Sequence, residues 1–299
     1  MNNRRKFLKL GTSLSLGAFL PFQYCSSAEK NKTVKINLKE AVDGTLERIG
    51  IQLYSVKEDM AKDPKGTIEK LAQFGYNQLE GFDGGQGIFW GMNNTDFKAF
   101  TDDLGLDYAA SHANVFENLE QTAEQAGEIG MKYLICPYAG EQSSVEKYKE
   151  LAVKFNQAGE VCRNNGLRFA YHNHGYTFKE VEGQIPQDIL LKETDPELVD
   201  FELDIYWAVT AGADPNEYFE KYKNRFRLCH VKDREKSAPP EETDASIVLG
   251  EGSIDFREIL RTAKESGMEY FIVEQEKFDG LSPLEAAEKN ATYLNKLVF

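Results

Sequence analysis

Cysteine is scarce in this chain. Four cysteines occur in 299 residues, and no two of them are spaced as Cys-x-x-Cys. This pattern argues against a disulfide framework and against a structural zinc site, since both rely on paired or closely spaced cysteines. Cys136, Cys162 and Cys229 lie in apolar segments, so we expect them to be buried as small apolar side chains.

Basic side chains are also few relative to acidic ones. The chain has 35 Lys and Arg against 49 Asp and Glu, which gives a formal net charge of −14. Nucleic acids and anionic membranes attract proteins through clustered Lys and Arg. The composition therefore disfavours both as partners and favours a small molecule.

A long apolar run is missing too. The uncharged, mostly apolar stretch at residues 10–22 is too short to cross a membrane comfortably. It follows a basic start, Arg4, Arg5, Lys6 and Lys9, and the order Arg-Arg-x-Phe-Leu-Lys resembles a twin-arginine export signal.

We therefore predict that residues 1–28 are an export signal cleaved after Ala28, and that the mature protein is exported to the periplasm. A lipid anchor at Cys25 is the alternative, although Phe-Gln-Tyr before this cysteine fits such an anchor poorly. A third interpretation makes the segment an apolar helix of the mature fold. Residues 29–47 are polar and are predicted to be a spacer or an N-terminal cap.

From residue 48 onward, short apolar runs alternate eight times with longer amphipathic segments. The strand candidates are residues 48–56, 76–82, 106–114, 132–139, 167–175, 198–208, 225–233 and 269–276. Several of the intervening helical patterns end at a glycine, as expected where a helix turns back into a strand. Eight such units predict a single (β/α)8 TIM barrel over residues 48–299. The runner-up, a doubly wound open sheet, would need a glycine-rich loop after the first strand, and none is present.

Polar side chains cluster where these predicted strands end, which is where such barrels carry their active sites. All four histidines of the chain lie at these positions, and two of them are one residue apart in the sequence YHNHG. The complete set is Gln52, Tyr54, Glu80, His112, Tyr138, His172, His174, Asp204, His230, Lys232, Glu274 and Glu276.

Part of this set has the character of a metal site. Asp204, His230 and Glu274 stand in apolar strands together with one of the paired histidines, and an unpaired charge is costly to bury there. Carboxylates and imidazoles without sulfur suit Mn²⁺, Mg²⁺, Fe²⁺, Co²⁺ or Zn²⁺. We predict one divalent metal ion held at the strand ends.

The motifs also resemble a known family. The segments GIQLYSV, SHAN, YHNHGYTF, TDPELVDFELDIYWAVTAG, HVKD, GEGSIDF and FIVEQE are similar, in order, to those of the xylose-isomerase-like barrels known as sugar phosphate isomerases/epimerases. The resemblance implies a divalent metal held by Glu, Asp, His and Glu. Three of these ligands carry over to Asp204, His230 and Glu274.

The first glutamate of the family does not carry over. The corresponding strand reads FAYHNHG, which places Tyr171 or His172 at the position. We assign His172 as the fourth ligand because an imidazole can bind a metal, with Glu180 or Glu182 in the following loop as the alternative.

The resemblance implies removal of a proton next to a substrate carbonyl, with isomerisation or epimerisation as the expected outcome and β-elimination as the alternative. Glu274 or His174 would act as the base, and His174 or Lys232 would protonate a leaving oxygen. The residues expected to contact the substrate are Gln52, Tyr54, Glu80, His112 and Glu276. With one carboxylate replaced, epimerisation by two opposed groups is less well supported than elimination.

The predicted substrate is an unphosphorylated keto-sugar, inositol or 3-keto-glycoside. A phosphosugar site wants several Lys or Arg, whereas the strand ends offer a single lysine. Phe89, Trp90 and Trp207 are candidates for stacking on a sugar ring. Two other hypotheses stay open at this point: a non-catalytic periplasmic sugar-binding barrel, and a metal-dependent DNA-repair endonuclease, which the net charge opposes.

Overall fold

Eight parallel strands close into a ring in the computed structural model, which describes residues 44–299 of the chain. The barrel strands are β1 (Gly50–Gln52), β2 (Gln78–Gly81), β3 (Asp107–His112), β4 (Tyr133–Cys136), β5 (Arg168–His172), β6 (Val199–Asp204), β7 (Phe226–Val231) and β10 (Tyr270–Val273). The ring runs β1-β10-β7-β6-β5-β4-β3-β2, and every neighbouring pair is parallel. The predicted (β/α)8 barrel is confirmed. The predicted export signal and most of the predicted spacer lie outside the described residues.

Helices connect the strands around the outside of the ring. They are α1 (Lys57–Lys62), α2 (Pro64–Phe74), α3 (Asn94–Asp103), α4 (Leu119–Glu128), α5 (Val145–Asn164), α6 (Pro186–Glu193), α7 (Ile205–Thr210), α8 (Pro215–Lys221), α9 (Phe256–Glu265) and α10 (Pro283–Leu294). Their starts follow the sequence chemistry: Asp63, Asn93, Ser144 and Ser282 each accept a hydrogen bond from a backbone N–H in the first turn. None of the described helices is long and apolar enough to pass through a membrane.

The strands are shorter than their apolar runs because polar side chains end them. Gln52 Oε1 accepts the backbone N–H of Tyr54 and starts a short 3-10 helix, Leu53–Val56. Asp204 Oδ1 accepts the N–H of Trp207 and starts α7. Strand β5 likewise ends at His172, so His174 belongs to the loop that follows rather than to the strand.

The barrel interior contains an apolar layer of side chains and, nearer the carboxyl ends of the strands, a polar layer. A buried interior cluster contains Ala110, Tyr133, Ile135, Ala170, Leu228 and Ile272. Side chains two residues apart share a strand face, so His172 follows Ala170, His230 follows Leu228 and Glu274 follows Ile272 on the inward side. The apolar layer thus forms the floor on which a polar layer rests. The three expected cysteines are free and buried, as predicted.

A small hairpin and its loop brace the mouth of the barrel beside β7. Strand β8 (Asp233–Arg234) pairs antiparallel with β9 (Ser246–Ile247). The carboxylate of Asp233 accepts the backbone N–H groups of Gly250 at 2.9 Å, Gly252 at 3.0 Å and Ile254 at 3.1 Å. A Cβ atom at Gly252 would lie 2.1 Å from Asp233 Oδ1, which explains the glycine in the segment GEGSIDF.

Asp233→Asn should destabilise the fold by about 2–4 kcal/mol, because an amide NH₂ would face two backbone donors that the carboxylate now satisfies. Thermal and denaturant unfolding would measure the change. The control is Asp279→Asn, which removes an exposed carboxylate 3.9 Å from Lys277 and should cost under about 1 kcal/mol. Equal stability of the two variants would contradict the proposed brace.

Candidate active site

Four ligand atoms from four strand ends converge at the mouth of the barrel. They belong to His172 of β5, Asp204 of β6, His230 of β7 and Glu274 directly after β10, and all lie within 4.8 Å of one another. All four side chains are buried. The structure therefore brings together the four residues predicted as metal ligands, which are called the metal cluster below.

The hydrogen bonds of His172 fix which of its nitrogens faces the cluster. Nδ1 lies 3.2 Å from the carbonyl oxygen of Pro137, and because a carbonyl only accepts, this nitrogen carries the hydrogen. Nε2 is then a lone-pair donor, and it lies 3.5 Å from Asp204 Oδ2. Neither of these two buried atoms has a hydrogen-bond partner.

His230 has the same arrangement with its nitrogens exchanged. Nε2 lies 2.8 Å from Glu80 Oε1 and donates to it. Nδ1 faces Glu274 Oε2 at 3.3 Å and Asp204 Oδ2 at 3.7 Å, and it has no hydrogen-bond partner. A carboxylate behind the imidazole is the usual support of a metal-binding histidine.

One lone pair from each imidazole and two carboxylates thus point at one place. Three of these four ligand atoms have no hydrogen-bond partner. Unpaired buried polar atoms are costly, and a divalent cation satisfies all of them at once. The nitrogen and oxygen donors fit the predicted group of metals without selecting one. Burial alone would raise the pKa of Asp204, but the adjacent imidazoles of His172 and His230 and the charge of Lys232 lower it. The group therefore stays ionised.

The alternative ligands lie elsewhere. The hydroxyl of Tyr171 lies 3.0 Å from that of Tyr176, and its ring packs on Phe155 of α5, outside the barrel. Glu180 and Glu182 are exposed, and Glu182 accepts the backbone N–H of Val145. Neither carboxylate belongs to the cluster.

A second polar cluster supports the first from below. Glu80, His112, Glu202 and His230 also place ligand atoms within 4.8 Å of one another. Burial lowers the pKa of His112, but Glu80 and Glu202 outweigh it and raise this pKa to about 9. Burial and the charge of Glu80 raise the pKa of Glu202 to about 8. Glu202 is absent from the sequence-based set, although its spacing from Asp204 in FELD places both on the inward face of β6.

Two residues predicted to contact substrate belong to this lower layer. Gln52 and Glu80 are fully buried, and Gln52 Nε2 donates to Glu80 Oε1 at 2.6 Å. Neither lines the cavity above the metal cluster. From this position Glu80 supports His230 and Gln52 supports Glu80, and neither residue contacts a ligand in the cavity.

A cavity of about 810 Å³ opens above the cluster. Among the residues predicted to touch substrate, Tyr54, His112 and Glu276 line it, as do His174 and Trp207. The remaining lining residues are Phe82, Asp83, Gly85, Ala113, Asn114, Val115, Phe116, Cys136, Pro137, Tyr138, His172 and Glu274. Phe89 and Trp90, predicted as stacking residues, are buried and do not line the cavity.

Lys232, predicted as a catalytic residue, lies behind the cavity wall. Its Nζ donates to Glu274 Oε2 at 3.2 Å and to Glu276, and it lies 5.6 Å from the ring centre of Trp207. Burial would lower the pKa of Lys232, but Glu274, Asp204 and Glu276 outweigh it and raise the pKa. The ammonium therefore fixes two cavity-lining carboxylates and does not itself reach the cavity.

His174 stands over the metal cluster inside the cavity. Its ring centre lies 4.9 Å from that of His172 and 5.4 Å from that of Trp207. Nδ1 has no hydrogen-bond partner. Burial and the neighbouring His172 lower the pKa of His174 to about 3, so its imidazole is neutral near pH 7.

The chain is similar in sequence to curated proteins. A segment of 164 residues is 30% identical to the inosose dehydratase of Lacticaseibacillus casei and covers 50% of this chain and 54% of that protein. The chain thus spans about half the length of that curated relative.

Two solved structures share the barrel. A sugar phosphate isomerase/epimerase from Parabacteroides distasonis is 30% identical with a TM-score of 0.74, covering 86% of this chain and 95% of that one. The IOLI protein with a bound zinc atom is 17% identical with a TM-score of 0.69, covering 84% and 99%; at this identity the likeness establishes the fold.

A family model identifies the family of this chain. The xylose isomerase-like TIM barrel family matches residues 68–297. This span covers all barrel strands except β1, and it includes both polar clusters. The chain therefore belongs to the xylose isomerase-like TIM barrel family.

Proposed function

We propose that the protein is a metal-dependent lyase that eliminates water or an alcohol from an unphosphorylated keto-sugar, keto-inositol or keto-glycoside. The observation that carries the proposal is the convergence of His172, Asp204, His230 and Glu274 at one point. Two of them, His172 and Glu274, line a cavity that His174 also lines. A divalent cation bound there would polarise the substrate carbonyl and stabilise the negative charge that develops when the neighbouring proton leaves.

His174 is the proton-transferring residue in this proposal. Its Nδ1 is unpaired and its ring faces the cavity beside the cluster. Glu274, the other predicted base, accepts a hydrogen bond from Lys232 at Oε2 and is itself one of the four predicted metal ligands.

The reaction needs no further reactant. The imidazole takes the proton from the carbon next to the carbonyl, and a carbon–carbon double bond forms. The carbon–oxygen bond at the next carbon breaks and its electron pair stays on oxygen, which receives the same proton. The products are an unsaturated ketone and water or an alcohol.

Elimination is favoured over epimerisation by the replacement at position 172. Epimerisation generally uses two opposed acid/base groups, whereas the His172 side chain is held by Pro137 on one nitrogen and faces the metal cluster with the other. The similarity to an inosose dehydratase supports the same choice.

The charges around the cavity support a neutral substrate. Among the described residues, the carboxylate and imidazole side chains lining it are Asp83, Glu274, Glu276 and the three histidines His112, His172 and His174, and no Lys or Arg is part of the lining. A phosphate group would meet carboxylates rather than the donors that it requires.

The test is to load the purified protein with each candidate metal and supply keto-inositols, keto-hexoses and 3-keto-glycosides in D₂O. We expect an ultraviolet-absorbing unsaturated ketone, and deuterium next to the carbonyl in recovered substrate. His174→Asn should slow product formation by about 10²–10⁴-fold with the metal content unchanged.

Three results would contradict the proposal. An epimer of the substrate carrying one deuterium would indicate epimerisation. Tight binding without deuterium exchange would indicate a sugar-binding protein. Full activity of His174→Asn would remove His174 from proton transfer.

A further inference from the structure

Two aromatic side chains at the outer edge of the cavity are unusually exposed. Tyr138 follows β4 and is 60% exposed, and Phe116 follows β3 and is 51% exposed. Both line the cavity above the metal cluster. Exposed aromatic groups at a binding cavity mark surface that a ligand covers.

A continuous wall of rings connects the cluster to this edge. The ring centres of His172 and His174 are 4.9 Å apart, and those of His174 and Tyr138 are 5.3 Å apart and nearly perpendicular. Tyr176 supports the outer end of the wall, with its ring centre 5.7 Å from that of Tyr138. A sugar ring held at the cluster would lie beside the two histidines. A group attached to that ring would reach Tyr138.

The same edge is unsuited to a charged group. Among the described residues, no Lys or Arg lines the cavity, and Asn114 adds a neutral amide. Flat apolar surface with few polar partners fits the face of a sugar ring or an aromatic ring.

We propose that Tyr138 and Phe116 form an outer subsite for the second ring of a neutral keto-glycoside, so that the group eliminated is a ring-bearing alcohol rather than water. This inference rests on the proposed function. In a 3-keto-pyranoside, the proton leaves C2, a C1–C2 double bond forms and the glycosidic C1–O bond breaks. The oxygen keeps the electron pair, receives the proton and departs as the alcohol.

In this reaction the leaving group is the part of the substrate that occupies the outer subsite. The bond that breaks is the one joining the ring at the cluster to the group on Tyr138 and Phe116. A keto-inositol, which loses water, would leave this outer subsite empty.

The experiment compares Tyr138→Ala and Phe116→Ala with the unaltered protein on two substrates, an aryl 3-keto-glucoside and a keto-inositol. We expect kcat/KM for the glucoside to fall about tenfold in each variant, mainly through KM, because an aromatic contact and its buried area are lost. We expect the value for the keto-inositol to fall by a smaller factor than the value for the glucoside, because the keto-inositol leaves the outer subsite empty. Val153→Ala, which shortens an exposed side chain on α5, should affect neither.

A second readout does not depend on turnover. Calorimetry with the unoxidised parent aryl glucoside, which has no ketone to react, should show weaker binding to both aromatic variants than to Val153→Ala. An equal fall in kcat/KM for both substrates, or no fall for either, would overturn the subsite. If no substrate turns over but the glucoside still binds more weakly to the variants, the proposed lyase activity fails and the subsite stands. Absence of both turnover and binding would overturn both.

Discussion

Asp204→Asn is expected to give a folded protein that no longer retains a divalent cation. Asp204 Oδ2 is buried without a partner among the ligand atoms of His172 and His230. The substitution removes a full negative charge from the point where the cation would bind. Oδ1 accepts the N–H of Trp207 at 2.8 Å, and an asparagine oxygen can keep this helix cap. The loss should therefore fall on metal binding rather than on folding.

The expected loss of metal affinity exceeds the roughly 10–100-fold that removal of a ligand's outer partner costs, and turnover should fall with it. Metal analysis after dialysis, calorimetric titration with Mn²⁺ or Zn²⁺, and thermal unfolding would separate the two effects. Glu276→Gln is the matched control, since Glu276 lines the same cavity but lies outside the metal cluster. Full metal occupancy in Asp204→Asn would contradict the assigned centre.

The barrel and the place of its site could be predicted from sequence because both depend on local patterns. Each apolar run marked a strand, and the position where polar residues interrupted it marked the end of that strand. Successive side chains of a strand point to opposite faces, and this alternation alone places Asp204, His230 and Glu274 on the inward face of the barrel. None of these inferences needs knowledge of which strands meet across the ring.

The depth of each residue could not be predicted in the same way. Gln52 and Glu80 stand at strand ends like His172, yet they lie below the metal cluster. Their depth depends on the register between neighbouring strands, for example Gln52 beside Glu80. The support that Glu202 gives to His112 joins residues 90 positions apart. The sequence predicts a catalytic role for Lys232, whereas in the structure its ammonium lies behind two carboxylates.

Glu80→Gln is expected to weaken metal binding by about 10–100-fold without unfolding the protein. Glu80 Oε1 accepts hydrogen bonds from His230 Nε2 at 2.8 Å and from Gln52 Nε2 at 2.6 Å. A glutamine oxygen at the same place can accept both bonds. The substitution therefore preserves the orientation of His230 and removes only the negative charge that strengthens its Nδ1 as a ligand.

Glu202→Gln is the matched comparison, because Glu202 Oε2 lies farther from His230 Nε2, at 3.4 Å, and bonds His112 instead. Its effect on metal affinity should be smaller than that of Glu80→Gln, and calorimetric titration of both variants with the same metal would rank them. A purely structural role for Glu80 would lower the unfolding temperature and leave the affinity of the folded protein unchanged. A loss of affinity at unchanged stability would instead show that the charge of Glu80 acts on the metal through His230, which makes the lower cluster part of the metal site rather than part of the core.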